Sequence, residues 1–238
     1  MTVQTDDLSK AYGSFELSIP NFSVAEGQAL GLVGNNGAGK TTFLRLVLDL
    51  IAPDTGHVQM DGQNVARTTR WKSRTGSFLS DSFLIDFLTP DEYWTFVGST
   101  YDLPAPAVAE RLEAFRSFYT DEPIGDTTKY VRDLSQGNRN KVGLIGALLV
   151  DADLLVLDEP FASLDPRSQI QLKTMLQARH GDATMLISSH DLGHVTDVCE
   201  RIALLEDGQV VGDEPTDADT LADLKRYFAE TIRPRETA

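Results

Sequence analysis

The 238-residue sequence contains a single cysteine, Cys199. One cysteine cannot form an internal disulfide, and such scarcity is typical of proteins from a reducing compartment. Residues 1–7 show neither the basic region nor the apolar stretch of a secretion signal. No run of 18 or more uncharged apolar residues occurs, so we expect no segment to span a membrane. Together these absences predict a cytoplasmic protein.

Basic residues are also scarce. The sequence has 21 Lys and Arg residues against 36 Asp and Glu residues, and its net charge is −15. Nucleic acids and anionic lipid surfaces bind clustered basic side chains, so this composition predicts no nucleic-acid partner. Only 7 of the basic residues are lysine. Acid excess with little lysine fits either a salt-rich cytoplasm or an ordinary acidic protein, and composition does not decide between them.

A glycine-rich segment at residues 34–41 is the most informative motif. It has the pattern G-x-x-x-x-G-K-T and lies between the apolar runs 29–33 and 43–48, which predicts a strand, a turn and a helix. Converging backbone N–H groups and the helix dipole would bind phosphate there, whereas a turn that binds nothing is the alternative. Lys40 would contact the terminal phosphates, and the Thr41 hydroxyl would bind Mg²⁺. The predicted nucleotide-binding residues of this segment are Gly34, Asn35, Asn36, Gly37, Ala38, Gly39, Lys40, Thr41 and Thr42.

A second element of a phosphate site occurs at residues 154–159, Leu-Leu-Val-Leu-Asp-Glu. Four apolar residues followed by acids predict a buried strand that presents carboxylates at its end. We predict that Asp158 holds Mg²⁺ through water and that Glu159 orients and deprotonates an attacking water. A capped strand end is the alternative for this pattern alone, and its pairing with the glycine-rich segment favours the catalytic interpretation.

The organisation of the chain is that of one domain over residues 1–238, without repeats or linkers. An N-terminal region with the β-type runs 15–19 and 22–24 precedes the glycine-rich segment, and Asp61-Gly62 predicts a hairpin turn. A mainly helical part is expected at roughly 84–150, with amphipathic stretches near 90–101 and 105–119. The remaining predictions are strand 154–158, helix 166–179, strand 183–188, helix 191–199 and strand 201–205.

Three further strings carry a resemblance to a known family. Leu134-Ser135-Gln136-Gly137-Asn138 is similar to the signature of the ATP-binding-cassette (ABC) ATPases, Ser163-Leu164-Asp165 to their D-loop, and Ser188-Ser189-His190 to their switch histidine. The resemblance covers almost the whole chain and is nearest to ABC-2-type exporters. It implies an α/β P-loop NTPase fold of ABC type, with a RecA-like core, an N-terminal antiparallel β region and a helical subdomain.

The resemblance also implies roles for individual residues. Two such domains close head to tail around ATP and Mg²⁺, so Ser135 and Gly137 would contact the γ-phosphate bound by the partner, in trans. Ser135 would also cap a helix. His190 would act beside Glu159 as a catalytic residue by binding the γ-phosphate and holding the water. Tyr12 lies where the family stacks an aromatic ring on adenine, and packing of the N-terminal strand is its alternative role.

Two departures from the family pattern stand out. The family places a glutamine that reaches Mg²⁺ and the γ-phosphate where this sequence has Ser80, and a serine hydroxyl is too short to do the same. Ser80 is therefore a doubtful metal contact, and the neighbouring Asp81 could substitute for the glutamine through water. The signature also carries Gln136 and Asn138 in place of glycine and glutamine.

The resulting prediction is an ATP-hydrolysing subunit that energises a membrane transporter, an ABC-2-type exporter. Its expected partners are an integral membrane permease and a second ATP-binding subunit in a homodimer, on the inner face of the membrane. The alternative is an ABC ATPase that acts on a soluble assembly. A GTPase is not expected, because the guanine-reading pattern Asn-Lys-x-Asp is absent and residues 140–143 read Asn-Lys-Val-Gly.

Overall fold

The computed structural model describes residues 1–231, and these residues form one ten-stranded mixed sheet flanked by helices. The last seven residues of the predicted domain, 232–238, lie outside the described part. The strands are β1 (Val3–Tyr12), β2 (Phe15–Val24), β3 (Ala29–Val33), β4 (Thr55–Met60), β5 (Gln63–Asn64), β6 (Thr75–Phe78), β7 (Leu154–Asp158), β8 (Thr184–Ser189), β9 (Arg201–Glu206) and β10 (Gln209–Pro215). The helices are α1 (Lys40–Val47), α2 (Pro90–Thr100), α3 (Ala105–Leu112), α4 (Gln136–Leu149), α5 (Pro166–Gln177), α6 (Leu192–Val198) and α7 (Thr220–Thr231).

The sheet has a parallel half and a mostly antiparallel half, in which β10 and β2 pair in parallel. Its strand order is β5-β4-β1-β2-β10-β9-β3-β8-β7-β6, and the strands from β9 to β6 are mutually parallel. The carboxyl ends of parallel strands meet at one edge, where open α/β sheets bind ligands. The glycine-rich segment after β3 and the acids at the end of β7 therefore lie at the same edge.

Both faces of the parallel half of the sheet are covered by apolar side chains. Successive residues of a strand point to opposite faces, and β7 shows this clearly. Leu155 and Leu157 pack in the cluster that includes α4 and the other helices of the 84–150 part. Leu154 and Val156 pack in the cluster that includes α1 and the N-terminal strands. Burial on both faces explains why β7 is a continuous apolar run rather than an alternating one.

The N-terminal region differs in one respect from the sequence prediction. Two separate β-type runs, 15–19 and 22–24, were expected, but β2 is continuous through Pro20. Proline cannot donate a ladder hydrogen bond. The pairing with β1 is recorded for Asp6–Asn21 and Leu8–Ile19, and the intervening Asp7 has a left-handed φ of 45°. This local irregularity accommodates the proline inside one strand.

The part predicted to be mainly helical, residues 84–150, contains α2 and α3 near its start and α4 at its end, but loops in its middle. Helix α2 begins with a capping box in which Thr89 and Glu92 exchange side-chain-to-backbone hydrogen bonds. The Trp94 Nε1 donates to the Val142 carbonyl at 3.0 Å and joins α2 to α4. The second predicted helix was wrong beyond Leu112, because a 3-10 turn and loops follow. The Asp91 carboxylate accepts backbone N–H bonds from Gly125 and Thr127, farther along the chain than the predicted helix.

Candidate nucleotide site

The glycine-rich segment folds as a loop that ends at the N-terminus of α1. Gly37 and Gly39 have φ angles of 86° and 108°, a left-handed region that only glycine adopts without strain. A Cβ on Gly39 would lie 3.0 Å from Cζ of Phe15, so a larger residue would also clash there. Within residues 1–231 no side chain caps this helix end, and its first N–H groups lack intrahelical acceptors. The loop therefore directs N–H donors at one point, as anion binding requires.

A cavity of about 320 Å³ opens at this helix end and collects most of the predicted residues. It is lined by Phe15, Asn35, Asn36, Gly37, Gly39, Lys40, Thr41, Thr42, Asp158 and Glu159. Phe15 was not predicted, although it begins β2 immediately after the first hairpin turn. Tyr12 does not line this cavity among the described residues and is 50% exposed. Its adenine-stacking role stays a prediction, and Phe15 is the aromatic ring that the structure places against the loop.

Lys40 provides the positive charge of the cavity. Its side chain is buried, and Nζ donates to the Gly34 carbonyl at 2.6 Å. Nζ also lies 3.5 Å from Oε1 of Glu159. A cation beside a helix N-terminus favours binding of an anion such as the terminal phosphates of a triphosphate.

Thr41 and Asp158 form the part of the site that fits a divalent metal. The Thr41 hydroxyl donates to Oδ2 of Asp158 at 2.5 Å. Oδ1 of the same carboxylate accepts a hydrogen bond from the Ser188 hydroxyl at the end of β8. Mg²⁺ prefers hard oxygen ligands of this kind and usually keeps several waters, so the donor set suits the predicted ion.

Glu159 lines the cavity, whereas His190 contacts Glu159 but is not among the described residues that line the cavity. The Nδ1 of His190 lies 2.8 Å from Oε2 of Glu159, and the His190 side chain is 62% exposed. Glu159 has a left-handed φ of 48°, which is unusual for a residue with a side chain. Its N–H donates to the Ser188 hydroxyl at 2.9 Å. Such conformations cost free energy and cluster at functional sites, where the surrounding contacts impose them.

The segment after Glu159 is fixed to two helices. Asp165 caps α5, and its hydrogen bonds from the side chain and backbone of Ser168 hold the pKa of the Asp165 carboxyl well below its usual range. Phe161 stacks on His194 of α6 with ring centroids 4.6 Å apart. Burial lowers the pKa of the His194 imidazole, so that ring is neutral at neutral pH. The loop between β7 and α5 is thereby held in place.

The predicted signature residues Ser135 and Gly137 do not line this cavity among the described residues. The Ser135 hydroxyl accepts the Asn138 N–H at 3.3 Å and caps α4, as predicted. Ser135 is exposed. A single chain thus does not bring the signature to its own phosphate loop, and the predicted contact in trans stays a prediction.

Ser80 also lies outside the cavity lining of the described chain. Its hydroxyl is 2.5 Å from that of Ser82, in the segment that follows β6. The Asp81 carboxylate, which was considered as a substitute for the missing glutamine, accepts a hydrogen bond from Arg139 of α4 at 3.0 Å. Arg139 was not singled out in the sequence, and it ties this segment to the signature helix.

Known proteins resemble this chain over most of its length. The family described as ABC transporter matches residues 17–162. The chain belongs to the ABC transporter ATP-binding family. An uncharacterized ABC transporter ATP-binding protein of Nostoc sp. is 31% identical, over 88% of this chain and 65% of the relative. A probable sulfate/thiosulfate import ATP-binding protein of Chlorella vulgaris is 30% identical, over 89% of this chain and 90% of the relative.

Another relative, the Nod factor export ATP-binding protein I of Ralstonia nicotianae, is 30% identical over 88% of this chain and 65% of the relative. The chain thus spans about two thirds of the length of several relatives and nine tenths of another. Importers and exporters both occur among the names of the relatives, so family membership does not fix the direction of transport.

Solved structures confirm the expected fold class. An ATP-binding subunit of an ABC transporter superposes with a TM-score of 0.81 at 25% identity, covering 96% of this chain and 94% of that one. A dimeric ATP-binding cassette in a post-hydrolysis state, bound to ADP and phosphate, superposes with a TM-score of 0.77 at 21% identity. The match covers 91% of this chain and 99% of that one. A bacterial Atm1-family ABC exporter with ATP bound gives 0.80 at 22%, covering 99% of this chain and 42% of that chain. The protein is an ABC ATPase with the α/β P-loop NTPase fold.

Proposed function

We propose that this ABC ATPase binds Mg²⁺ and ATP in the cavity at α1 and uses ATP hydrolysis to energise a membrane transporter. The observation that carries the proposal is the meeting of two distant segments at one cavity, with a third segment in contact with them. Lys40 and Thr41 come from the glycine-rich segment, and Asp158 and Glu159 come from the end of β7. His190, which directly follows β8, contacts Glu159. These are the groups that phosphoryl transfer to water requires.

Each group has a role that its contacts support. The N–H groups at α1 and the Lys40 ammonium bind the β- and γ-phosphates. These phosphate contacts replace the contacts of the Lys40 ammonium with the Gly34 carbonyl and the Glu159 carboxylate. Thr41 and Asp158 hold Mg²⁺, which would neutralise phosphate charge when bound. Glu159 accepts the proton of the attacking water, and His190 holds the Glu159 carboxylate and contacts the γ-phosphate.

The proposal includes a second copy of the chain. Ser135 is exposed at the N-terminus of a 14-residue helix, where the helix dipole favours an anion. In a head-to-tail pair, Ser135 and Gly137 of one copy would face the γ-phosphate bound by the other. The dimeric cassette among the solved structures supports this arrangement.

An exposed aromatic surface supports contact with a permease. Phe83, Phe87 and Tyr130 are 54%, 62% and 43% exposed. Backbone hydrogen bonds from Val131 to Leu88 at 2.8 Å and from residue 132 to residue 86 at 3.0 Å bring the two segments together. Exposed apolar patches mark interaction sites. Among the described residues no helix is both long and apolar enough to cross a bilayer.

Export is the proposed direction of transport. What supports it is the resemblance of the signature, in which Gln136 stands in place of glycine, to ABC-2-type exporters. Substrate accumulation in inside-out vesicles would support export, and accumulation in right-side-out vesicles would replace this part of the proposal by import.

Partner-stimulated ATP turnover tests the function itself. The chain should copurify with an integral membrane protein, and that protein should raise its turnover in lipid vesicles. Phe87→Ser should reduce the stimulation by the membrane protein without changing basal turnover. The matched control Val211→Ser, at an exposed position of β10, should change neither the stimulation nor basal turnover. Turnover that is indifferent to membranes, with copurification of a soluble assembly, would overturn the transporter function.

A further inference from the structure

Ser188 lies at the end of β8 and touches both acidic residues of the site, although neither the motif analysis nor the family resemblance gives it a role. We propose that Ser188 is a positioning residue: its hydroxyl fixes the Asp158 carboxylate for Mg²⁺ and the backbone of Glu159 for proton transfer. This inference rests on the proposed function and deepens it.

The sheet places Ser188 at this point. Strands β7 and β8 are parallel, and Asp158 is the direct partner of Ser188 in their register. Ser188 is fully buried, so water does not compete for its hydroxyl. A serine hydroxyl has one donor and can accept as well. Here it donates to Oδ1 of Asp158 and accepts the N–H of Glu159 at 2.9 Å.

The first contact orients the carboxylate of Asp158. Its two oxygens have different partners, since Oδ2 accepts from Thr41 at 2.5 Å and Oδ1 accepts from Ser188. Thr41 is a candidate metal ligand, and its hydroxyl would give up the hydrogen bond to Asp158 when its oxygen binds the ion. Ser188 holds the opposite oxygen, so it can keep the plane of the carboxylate fixed during that exchange. Contacts of this type beyond the ligands themselves strongly affect metal affinity.

The second contact stabilises the unusual backbone of Glu159. A φ of 48° is unfavourable for a residue with a Cβ and persists only where neighbouring contacts impose it. The Glu159 N–H is directed at Ser188, with the hydroxyl at 2.9 Å and the carbonyl oxygen at 3.2 Å. Loss of the hydroxyl would weaken this anchor and allow the Glu159 carboxylate to move from its position beside His190.

A matched control lies on the same strand. Thr184, at the other end of β8, is also fully buried. Its hydroxyl likewise makes two hydrogen bonds, accepting the Gly27 N–H at 3.0 Å and donating to the Met1 carbonyl at 2.6 Å. Neither contact involves the nucleotide site, so Thr184→Val removes a comparable buried hydroxyl without touching Asp158 or Glu159.

The test compares metal dependence with turnover. Binding of a fluorescent ATP analogue is titrated with Mg²⁺ and with Mn²⁺, and kcat and KM are measured separately. Ser188→Ala should raise the metal concentration for half-maximal binding about tenfold, because a buried hydrogen bond to a charged group is lost. Its kcat should also fall, whereas analogue binding without metal should be unchanged. Ser188→Thr, which keeps the hydroxyl and suits a strand, should restore both properties.

Thr184→Val should keep the wild-type metal dependence even if its melting temperature falls. Should Ser188→Ala not fold, Ser188→Cys gives the same test, because a thiol is a weak donor and acceptor. Wild-type metal dependence and kcat in folded Ser188→Ala or Ser188→Cys would overturn the inference. A wild-type chain that binds no analogue with metal present would instead overturn the proposed function.

Discussion

At the scale of single residues, Lys40 is the buried cation of the nucleotide site. Lys40→Ala should weaken ATP binding at least about tenfold, because a charge-assisted contact to phosphate contributes roughly 1.5–3 kcal/mol. Calorimetric titration with Mg-ATP measures this change. Lys173→Ala, which removes an ion pair with Asp197 between α5 and α6, is the control and should bind normally. Unchanged affinity in Lys40→Ala would mean that the phosphates bind elsewhere.

Glu159 should affect turnover rather than binding. Glu159→Gln keeps the size of the side chain but cannot accept the proton of the attacking water, so the rate should fall by about 10²–10⁴. ATP binding should persist, and ATP should then trap a dimer that is visible by gel filtration. Glu214→Gln removes the same charge from an exposed position of β10 and should leave the rate unchanged. Near-normal turnover in Glu159→Gln would exclude Glu159 as the base.

At the scale of elements, the signature helix α4 packs closely against the loop that follows β7. A Cβ added to Gly137 would lie only 2.6 Å from the carbonyl oxygen of Ser163, so Gly137→Ala must displace one of the two elements. Displacements near 1 Å can reduce a rate by about 10²-fold, and we expect a loss of turnover of up to this size. Binding of ATP to the phosphate loop should be retained.

The control for this substitution is Gly193→Ala in α6. A Cβ there would meet only the Asp191 carboxylate at 3.4 Å, an ordinary contact, so turnover and stability should change little. Equal turnover in the two alanine variants would show that the contact between α4 and the loop does not matter for hydrolysis.

At the scale of the whole molecule, two chains of net charge −15 repel each other. In the proposed two-copy site, Ser135 and Gly137 come from the other copy, so the isolated chain should be a slow ATPase whose rate rises with protein concentration. Salt screens the repulsion over about 10 Å at 0.1 M, so moderate salt should raise the rate further at a given concentration. ATPase rates measured against protein concentration at low and high salt test this. A fast rate independent of concentration would contradict the two-copy site.

Local patterns in the sequence predicted much of the fold. The bounds of β7 were predicted correctly, because four apolar residues followed by two acids define a buried strand and its end. The strand, loop and helix around the glycine-rich segment were predicted from its glycine spacing and its apolar flanks. The end of α3 at Leu112 was missed, because buried apolar residues continue beyond the helix at Phe115, Phe118 and Tyr119.

The parts of the site that the sequence did not predict depend on contacts between distant segments. Ser188 reaches Asp158 only through the pairing of β8 with β7, and Phe15 reaches the phosphate loop only through the fold of the N-terminal strands. The ion pair of Arg139 with Asp81 joins residues 58 positions apart. No local motif signals such pairs, because strand order and helix packing create them.

Cys199 has a practical consequence for spectroscopy. The thiol is 4% exposed, and burial raises the pKa of Cys199 above its usual range, so little of the reactive thiolate form exists at neutral pH. A maleimide fluorophore or spin label should therefore attach to a cysteine introduced at an exposed position outside the site, such as Val211, and leave Cys199 unlabelled. Distances between labels on two copies can then be recorded during ATP turnover in a chain that keeps its native cysteine.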